Sequence, residues 1–233
     1  LELGKRTPEY SMNDPGFFSL PGVDRRYRDW KPGGHGRVDL HKSIVVSCDT
    51  YYYSLANDLG IDNIYNFISQ FGLGRKTGID VEGEVSGLLP SAAWKMSQYK
   101  QKWYAGDTIS VSIGQGYNLT TPLQLAFATM LIANEGKAYR PHFVKQIQDS
   151  QTGEIEEIPA QLMYTLNLKP RHLEVVKQAL VDVTKPGGTA ARAGANAAYT
   201  FAGKTGTSQV IGIKQGERYD EKRINERHRD HAM

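Results

Sequence analysis

The stretch ISVSIGQGYNLTTPLQLAFATMLIANEG, residues 109–136, carries the clearest structural signals in the chain. Its first five residues alternate between apolar and polar side chains, which predicts a strand. Gly114 and Gly116 then predict a turn. Thr121 suits an N-cap and Pro122 the first position of the apolar helix that follows, which Gly136 ends. A strand, a turn and a long apolar helix are therefore expected in the middle of the chain.

Helical signals dominate the residues before this stretch. The segments DTYYYSLANDLG and IDNIYNFISQFG, residues 49–60 and 61–72, each predict a helix that ends at a glycine. Residues 4–36 are rich in Gly, Pro and charge and predict a long irregular loop. Residues 73–107 predict loops and short strands.

Helices and strands mix after residue 136. Residues 142–149 and 198–212 predict strands, and residues 170–185 predict an amphipathic helix between them. This order favours an α+β fold, with an antiparallel sheet packed by helices and a helical subdomain. We place the helical subdomain and loops at about 1–120, and the helices with the sheet strands at about 121–233.

Composition limits the function classes. A chain of 233 residues suits one sizeable domain, or a domain with a subdomain. A net charge of +3 is too small to favour nucleic acid, which needs a concentrated basic face. A single cysteine excludes an internal disulfide. No run of about 18 apolar residues is present, so the sequence predicts no membrane-spanning segment within the chain.

Two polar clusters suggest catalysis: Ser47-Cys48-Asp49 before a predicted helix, and Lys204-Thr205-Gly206-Thr207 within a predicted strand. Each also has a structural interpretation. Ser47 and Asp49 are good helix caps, and Lys204 could be a solvated strand lysine. Together they suit acyl transfer, in which hydroxyls relay protons and a strand lysine and threonine hold a substrate carboxylate. Gly206 would let a ligand approach the strand closely.

Both clusters belong to a known signature. The set S-x-x-K, S-D-N and K-T-G is typical of serine β-lactamases and penicillin-binding proteins. Eight stretches that run from about residue 14 to 231 make the chain resemble the transpeptidase domain of class B penicillin-binding proteins of the elongation type (penicillin-binding protein 2). They are DPGFFSLPG, RYRDWKPGGHGRVDL, SCDTYYYSLANDLGID, GLGRKTGID, WYAGDTISVSIGQGYNLTTPLQLA, GGTA, GKTGTSQV and RDH.

The resemblance implies a β-lactamase/transpeptidase-like fold and a peptidoglycan D,D-transpeptidase that acts on D-Ala-D-Ala stem peptides and is acylated by β-lactams. It also implies an anchor in the bacterial inner membrane, a periplasmic catalytic domain, and a membrane glycosyltransferase and scaffold proteins of the elongation machinery as partners. No cofactor is required for the chemistry. A β-lactam sensor domain and a non-catalytic zinc-stabilised scaffold are the alternatives.

The resemblance assigns roles to individual residues. Ser47 corresponds to the proton-relay hydroxyl and Asp49 to the third position of its motif, where Asn is commoner. Lys204 is then the cleft lysine, and Thr205, Gly206 and Thr207 bind substrate.

The family's nucleophile and base lie in an S-x-x-K motif, which we expect about ten residues before Leu1. The chain's own SQYK, residues 97–100, is rejected because it lies in a polar segment that predicts a loop. The family also continues into a further strand after Met233, so we expect the domain to be incomplete here and inactive alone.

Cys48 suggests a second site. Asp14, Asp29 and His35 precede it within the predicted loop, and a thiolate, an imidazole and two carboxylates can form a tetrahedral zinc site. A metal would also keep such a long loop ordered. The alternatives are a buried cysteine that fills space, a histidine that caps a turn, and ordinary Asp-Pro turn chemistry. The charged segment 214–231 predicts a solvated, mobile loop that flanks the cleft.

Overall fold

The computed structural model describes residues 1–210, 220, 222 and 224–232. The chain forms two compact units that alternate along the sequence: unit 1 comprises Leu1–Leu59, Tyr104–Gly116 and Glu174–Met233, and unit 2 comprises Gly60–Trp103 and Tyr117–Leu173. Within the described part, none of the helices has the length and apolar character needed to cross a bilayer.

The helices of the described chain, in order, are α1 Leu40–Val45, α2 Asp49–Leu59, α3 Ile61–Ile68, α4 Ala92–Tyr99, α5 Ala105–Val111, α6 Pro122–Ala133, α7 Pro170–Asp182 and α8 Ala191–Gly194. The strands are β1 Ser11–Asp14, β2 Phe17–Ser19, β3 Arg26–Arg28, β4 Gly36–Asp39, β5 Lys137–Tyr139, β6 Gln146–Gln148, β7 Ile155–Glu157, β8 Leu162–Thr165, β9 Thr207–Ser208 and β10 His231–Ala232. Short 3-10 turns lie at Ser69–Phe71 and Glu226–His228.

Unit 1 begins with two nested antiparallel strand pairs. β1 pairs with β4, and β2 pairs with β3 inside the connection between them. The prediction of an irregular loop over 4–36 is therefore wrong in part. Strands of three or four residues are too short to show the alternation on which a strand prediction rests.

Helix α1 follows β4 directly and is capped by Asp39, whose Oδ1 accepts a hydrogen bond of 2.8 Å from the backbone N–H of Lys42. Helices α2 and α7 confirm the predictions for residues 49–60 and 170–185, and they share a core with β4 and α1. The buried members of this core are Val38, Leu40, Ile44, Cys48, Tyr51, Ala179 and Val183. The Ser47-Cys48-Asp49 turn, which connects α1 to the first residue of α2, is thus anchored by packing on both sides.

The strand predicted at 109–113 is wrong, because α5 extends to Val111 and a turn follows it. Asp107 Oδ2 accepts a hydrogen bond of 2.9 Å from the backbone N–H of Tyr104, and this bond stabilises the first turn of the helix. Ile109 and Val111 are two positions apart, as on one face of a strand, but both are buried as part of the short helix α5.

The strand predicted at 198–212 is observed only in part. Thr207 and Ser208 form β9 and pair with β10, whereas residues 198–206 pair with no strand in the part of the chain that the structure describes. Ile211 and Gly212 lie outside the described residues, as do 214–219, 221 and 223 of the charged segment predicted to be a loop. The five strand pairs of the described chain are each two-stranded and antiparallel.

Unit 2 is built around α6, which confirms the prediction of an apolar helix that starts at Thr121 and Pro122. The Thr121 side chain accepts from the Gln124 backbone N–H at 3.1 Å, and Gln124 Oε1 accepts from the Thr121 N–H at 3.0 Å. Phe127 and Leu131 on α6 pack with Ala138 of β5. The helix predicted at 61–72 is confirmed as α3 and the 3-10 turn after it.

Two further predictions in unit 2 need correction. Residues 92–99, expected to be loop, form α4, which Ser91 caps by accepting from the Trp94 N–H at 3.1 Å. The strand predicted at 142–149 is limited to β6, because the backbone N–H groups of Phe143 and Val144 donate to the Asp80 carboxylate at 2.8 and 3.0 Å rather than to a neighbouring strand.

Candidate active site

The Ser-Cys-Asp turn places its side chains in two environments. Cys48 is fully buried in the unit 1 core, while Ser47 and Asp49 on either side keep some exposure. Ser47 has a φ of 55°, a left-handed conformation that few residues other than glycine adopt. A backbone held in such a conformation costs about 1–3 kcal/mol and is commonest at functional sites.

The two predicted catalytic clusters meet at this turn. Lys204 Nζ donates a hydrogen bond of 2.8 Å to Ser47 Oγ and a second one of 3.0 Å to the backbone carbonyl of Thr205. A protonated lysine in contact with a serine hydroxyl can stabilise negative charge on that oxygen and can pass a proton through it. The structure therefore brings Ser47 and Lys204 together.

Charges near the turn are coupled. Partial burial lowers the pKa of Lys204, and the neighbouring Asp49 carboxylate opposes that effect. Burial raises the pKa of Asp49 to about 7, helped by the charge of Asp29 and opposed by a hydrogen bond from the Trp30 N–H and by Lys204. When protonated, Asp49 can donate a hydrogen bond as an asparagine does.

The Lys-Thr-Gly segment brings a further hydroxyl pair into the site. Thr205 Oγ1 lies 2.8 Å from Thr189 Oγ1, at hydrogen-bond distance. Gly206 and Thr207 continue the segment into β9 and are exposed. Sequence reasoning missed Thr189, which lies in the quoted stretch GGTA. Nothing in its residue type or spacing marked it as a site residue.

Trp30 is a second residue that sequence reasoning missed. Its indole Nε1–H donates to the carbonyl oxygens of Val46 and Ser47 at 3.1 and 2.9 Å. Its backbone N–H donates to Asp49 Oδ2 at 3.0 Å. The one available signal was its position directly after Asp29, a predicted metal ligand.

The four predicted metal ligands converge. One donor atom from each of Asp14, Asp29, His35 and Cys48 lies within 4.8 Å of all the others. His35 Nδ1 is 2.9 Å from Asp14 Oδ2 and 3.4 Å from Asp29 Oδ1, and Cys48 Sγ is 3.4 Å from Asp14 Oδ2. Ligand bonds of about 2.0–2.3 Å would give a zinc tetrahedron edges of about 3.3–3.8 Å, and the separations in this cluster range from 2.9 Å to at most 4.8 Å.

The cluster is largely buried, and hydrogen bonds and charges within it shift the pKa values of two of its members. Burial would raise the pKa of Asp14, but hydrogen bonds from the backbone N–H groups of Gly16 and His35 outweigh it and hold that pKa below its usual range. Burial, with the nearby charges of Asp14 and Asp29, raises the pKa of the Cys48 thiol. A dication at this point would reverse that effect and favour the thiolate.

A glycine lets the His35 loop approach β1. Gly34 has a φ of 75°, and a Cβ at this position would collide with the carbonyl oxygen of Asp14. The approach places the backbone N–H of His35 2.8 Å from Asp14 Oδ2. Nested strands and a glycine turn therefore assemble the cluster.

The rejected SQYK motif belongs to the other unit. Ser97 and Lys100 lie in unit 2, whereas Ser47 and Lys204 lie in unit 1. Ser97 Oγ donates to the Trp94 carbonyl of its own helix at 2.8 Å, and Lys100 caps the end of that helix with a φ of 54°. The loop predicted for this segment is wrong, because the segment is helical.

The family described as the penicillin binding protein transpeptidase domain matches residues 1–226. The chain belongs to this family. Among proteins similar to it, the peptidoglycan D,D-transpeptidase MrdA of Acinetobacter baumannii is 44% identical over 96% of this chain and 33% of its own length. The chain thus spans about a third of the length of that relative.

Two solved structures resemble the chain closely. Pseudomonas aeruginosa penicillin-binding protein 2 in complex with WCK 5153 matches with a TM-score of 0.82 and 39% identity, over 99% of this chain and 48% of that one. The Helicobacter pylori complex between penicillin-binding protein 2 and MreC matches with a TM-score of 0.79 and 31% identity, over 97% and 38%. These likenesses confirm the predicted transpeptidase-like α+β fold and the resemblance to penicillin-binding protein 2.

Proposed function

We propose that the protein containing this chain is a peptidoglycan D,D-transpeptidase of the elongation type. Its serine nucleophile, expected in an S-x-x-K motif before Leu1, attacks the carbonyl of the penultimate D-Ala and releases the terminal D-Ala. An amine of a neighbouring stem peptide then attacks the serine ester, forms the cross-link and frees the serine. A β-lactam takes the place of the D-Ala-D-Ala end and leaves the serine acylated.

This chain supplies the walls of the reacting site. Ser47 relays a proton between the reacting groups, and Lys204 stabilises the charge on its oxygen. Thr205 and Thr207 hold the substrate carboxylate, and Gly206 leaves room for the peptide to lie against the strand. The observation that carries the proposal is the 2.8 Å hydrogen bond between Lys204 Nζ and Ser47 Oγ, which unites two separate motifs of the family signature.

Labelling with fluorescent penicillin tests the proposal in the full-length protein. We expect a covalent adduct on the serine of the expected S-x-x-K motif, identified by mass spectrometry of the labelled peptide. An adduct on Ser97, or none at saturating penicillin, would contradict it. Cross-linking or hydrolysis of a D-Ala-D-Ala peptide then separates a transpeptidase from a β-lactam sensor, which would be acylated without turning peptide over.

The surroundings of the whole protein follow from the same proposal. It would be anchored in the inner membrane with this domain in the periplasm, and it would work beside a membrane glycosyltransferase and scaffold proteins. Similarity to a Helicobacter pylori protein solved in a complex with MreC supports a scaffold partner of that class. Co-purification of the full-length protein with such a scaffold from membranes tests this part.

We also propose that Asp14, Asp29, His35 and Cys48 bind a structural zinc ion. The convergence of four zinc-type donors within 4.8 Å supports it. Cys48 adjoins both Ser47 and Asp49, so the ion would hold the turn from its buried side. Zinc takes no part in the acyl transfer proposed here.

Metal analysis of the purified full-length protein, before and after chelation, tests the zinc site. We expect about one zinc ion per chain and a large drop in Tm when it is removed. Cys48→Ala should lose the ion. Zinc-free protein before chelation, with a Tm that chelation leaves unchanged, would rule the site out.

A further inference from the structure

Trp30 hydrogen-bonds to both ends of the Ser-Cys-Asp turn. Its indole Nε1–H is shared between the carbonyls of Val46 and Ser47, at 3.1 and 2.9 Å, and its backbone N–H reaches the Asp49 carboxylate at 3.0 Å. The donors belong to the segment between β3 and β4, and the acceptors lie between the end of α1 and the start of α2. A single residue thus ties two separate parts of unit 1 together.

Trp30 is itself held firmly. Asp29 Oδ1 accepts from the Lys31 backbone N–H at 3.0 Å, and Asp29 Oδ2 accepts from the Thr50 N–H at 3.2 Å. The indole packs on the His35 ring with centroids 5.4 Å apart. A donor that is fixed in this way loses little freedom when it binds the turn, so its bonds can constrain the acceptors strongly.

The exposure of Trp30 is unusual for a structural tryptophan. It is 58% exposed, so the burial of apolar surface is a weak reason for its position. The indole N–H, by contrast, donates to two carbonyl oxygens. Its two acceptors belong to the peptide groups on either side of the Ser47 Cα atom. The φ of 55° at Ser47 is unfavourable for a residue with a side chain and persists only where neighbours enforce it.

We propose that Trp30 is a positioning residue for the transpeptidation site, whose indole N–H keeps Ser47 in the left-handed conformation that directs its hydroxyl at Lys204. Its effect on acylation rests on the proposed function, whereas its effect on the conformation of the turn does not. Trp30 acts through Ser47 and needs no contact with substrate.

The kinetic test uses Trp30→Phe in the full-length protein, which keeps an aromatic ring against His35 but removes the N–H. We expect the acylation rate constant for penicillin to fall by about tenfold or more, while the dissociation constant of the complex that precedes acylation changes by less than about twofold. Trp94→Phe is the matched control, because it removes a tryptophan from α4 in unit 2, and it should acylate at the wild-type rate. An unchanged rate constant in Trp30→Phe would overturn the proposal.

A second measurement needs no variant that might misfold. In the native protein, the indole N–H of Trp30 should exchange with deuterium at least about tenfold more slowly than that of free tryptophan, despite the exposed ring. Exchange at the free rate would overturn the proposal. If wild-type protein is not acylated at all, the proposed function fails, and slow indole exchange would still show that the Trp30 N–H stays hydrogen-bonded to the turn.

Discussion

Lys204 Nζ lies 2.8 Å from Ser47 Oγ, although 157 positions of sequence separate the two residues. Ser47 lies between two packed helices, and Lys204 lies just before the short strand β9. The two residues are therefore positioned by different elements of unit 1. If the contact serves one chemical step, removing either partner should affect that same step.

Ser47→Gly, which removes the hydroxyl and readily adopts the left-handed backbone of this position, and Lys204→Ala should each lower the acylation rate constant of the full-length protein by about 10²–10⁴-fold, the usual contribution of a positioned proton-transfer group. Since the two residues are expected to act as a pair, the double variant should acylate only slightly more slowly than the worse single variant. Stopped-flow measurement with a chromogenic β-lactam gives the rate constants. If the double variant loses acylation rate by the product of the two single-variant factors, the residues act independently.

Thr189→Val should weaken binding of ligands that carry a carboxylate, because Thr205 Oγ1 loses the hydroxyl 2.8 Å away that orients it. We expect the dissociation constant for such β-lactams to rise by about three- to tenfold. Thr129→Val is the control, since that residue is exposed on α6 in unit 2 and its hydroxyl donates to the Leu125 carbonyl of its own helix. Equal dissociation constants for Thr189→Val and Thr129→Val would show that Thr189 does not contribute to carboxylate binding.

Gln124→Ala should destabilise unit 2. The Gln124 side chain is fully buried and donates through Nε2 to the carbonyls of Arg75 and Ser86 at 2.7 and 2.6 Å. Its removal leaves both acceptors without this donor and costs about 2–4 kcal/mol of unfolding free energy. Gln98→Ala, at an exposed position of α4, should change it by less than about 0.5 kcal/mol. Urea denaturation followed by circular dichroism compares the two variants. Similar midpoints for Gln124→Ala and Gln98→Ala would show that the buried hydrogen bonds of Gln124 add no stability.

The lowered pKa of Asp182 should make the stability of the protein depend on pH. Hydrogen bonds from Lys185 and then from His41 hold the pKa of Asp182 at about 2, below its usual range. A depressed carboxyl pKa stabilises the folded state above the unfolded pKa of about 4, and that stabilisation is lost as the pH falls toward 2.

Wild-type protein should therefore be more stable than Asp182→Asn at pH 6, and the difference should shrink between pH 4 and pH 2. Denaturant titrations at several pH values measure it. A difference that stays constant over this range would show that the charge of Asp182 contributes nothing.

Candidate site residues could be selected from the sequence because they belong to short motifs with strict chemical roles. Ser47, Asp49 and Lys204 could be found without knowing the strand pairing, and the structure brings Ser47 and Lys204 into contact. The four proposed zinc ligands were singled out by residue type alone, and the structure places their donor atoms within 4.8 Å of one another. Their roles stay predictions until the experiments above are done.

The supporting residues could not be predicted in the same way. Trp30 and Thr189 make hydrogen bonds that depend on which distant segments lie close together in the fold, and no periodic pattern in the sequence encodes that. The predictions of the short helices and strands failed for a related reason. Helix α5 holds seven residues and β1 holds four, so capping and packing decide their structure more strongly than periodicity does.

The left-handed backbone of Ser47 also restricts which residues can replace it. Among residue types, glycine, asparagine and aspartate enter that conformation most readily. Most other single replacements would distort the loop. If the proposed function holds, substitutions that lower reactivity toward β-lactams should therefore arise at positions other than 47.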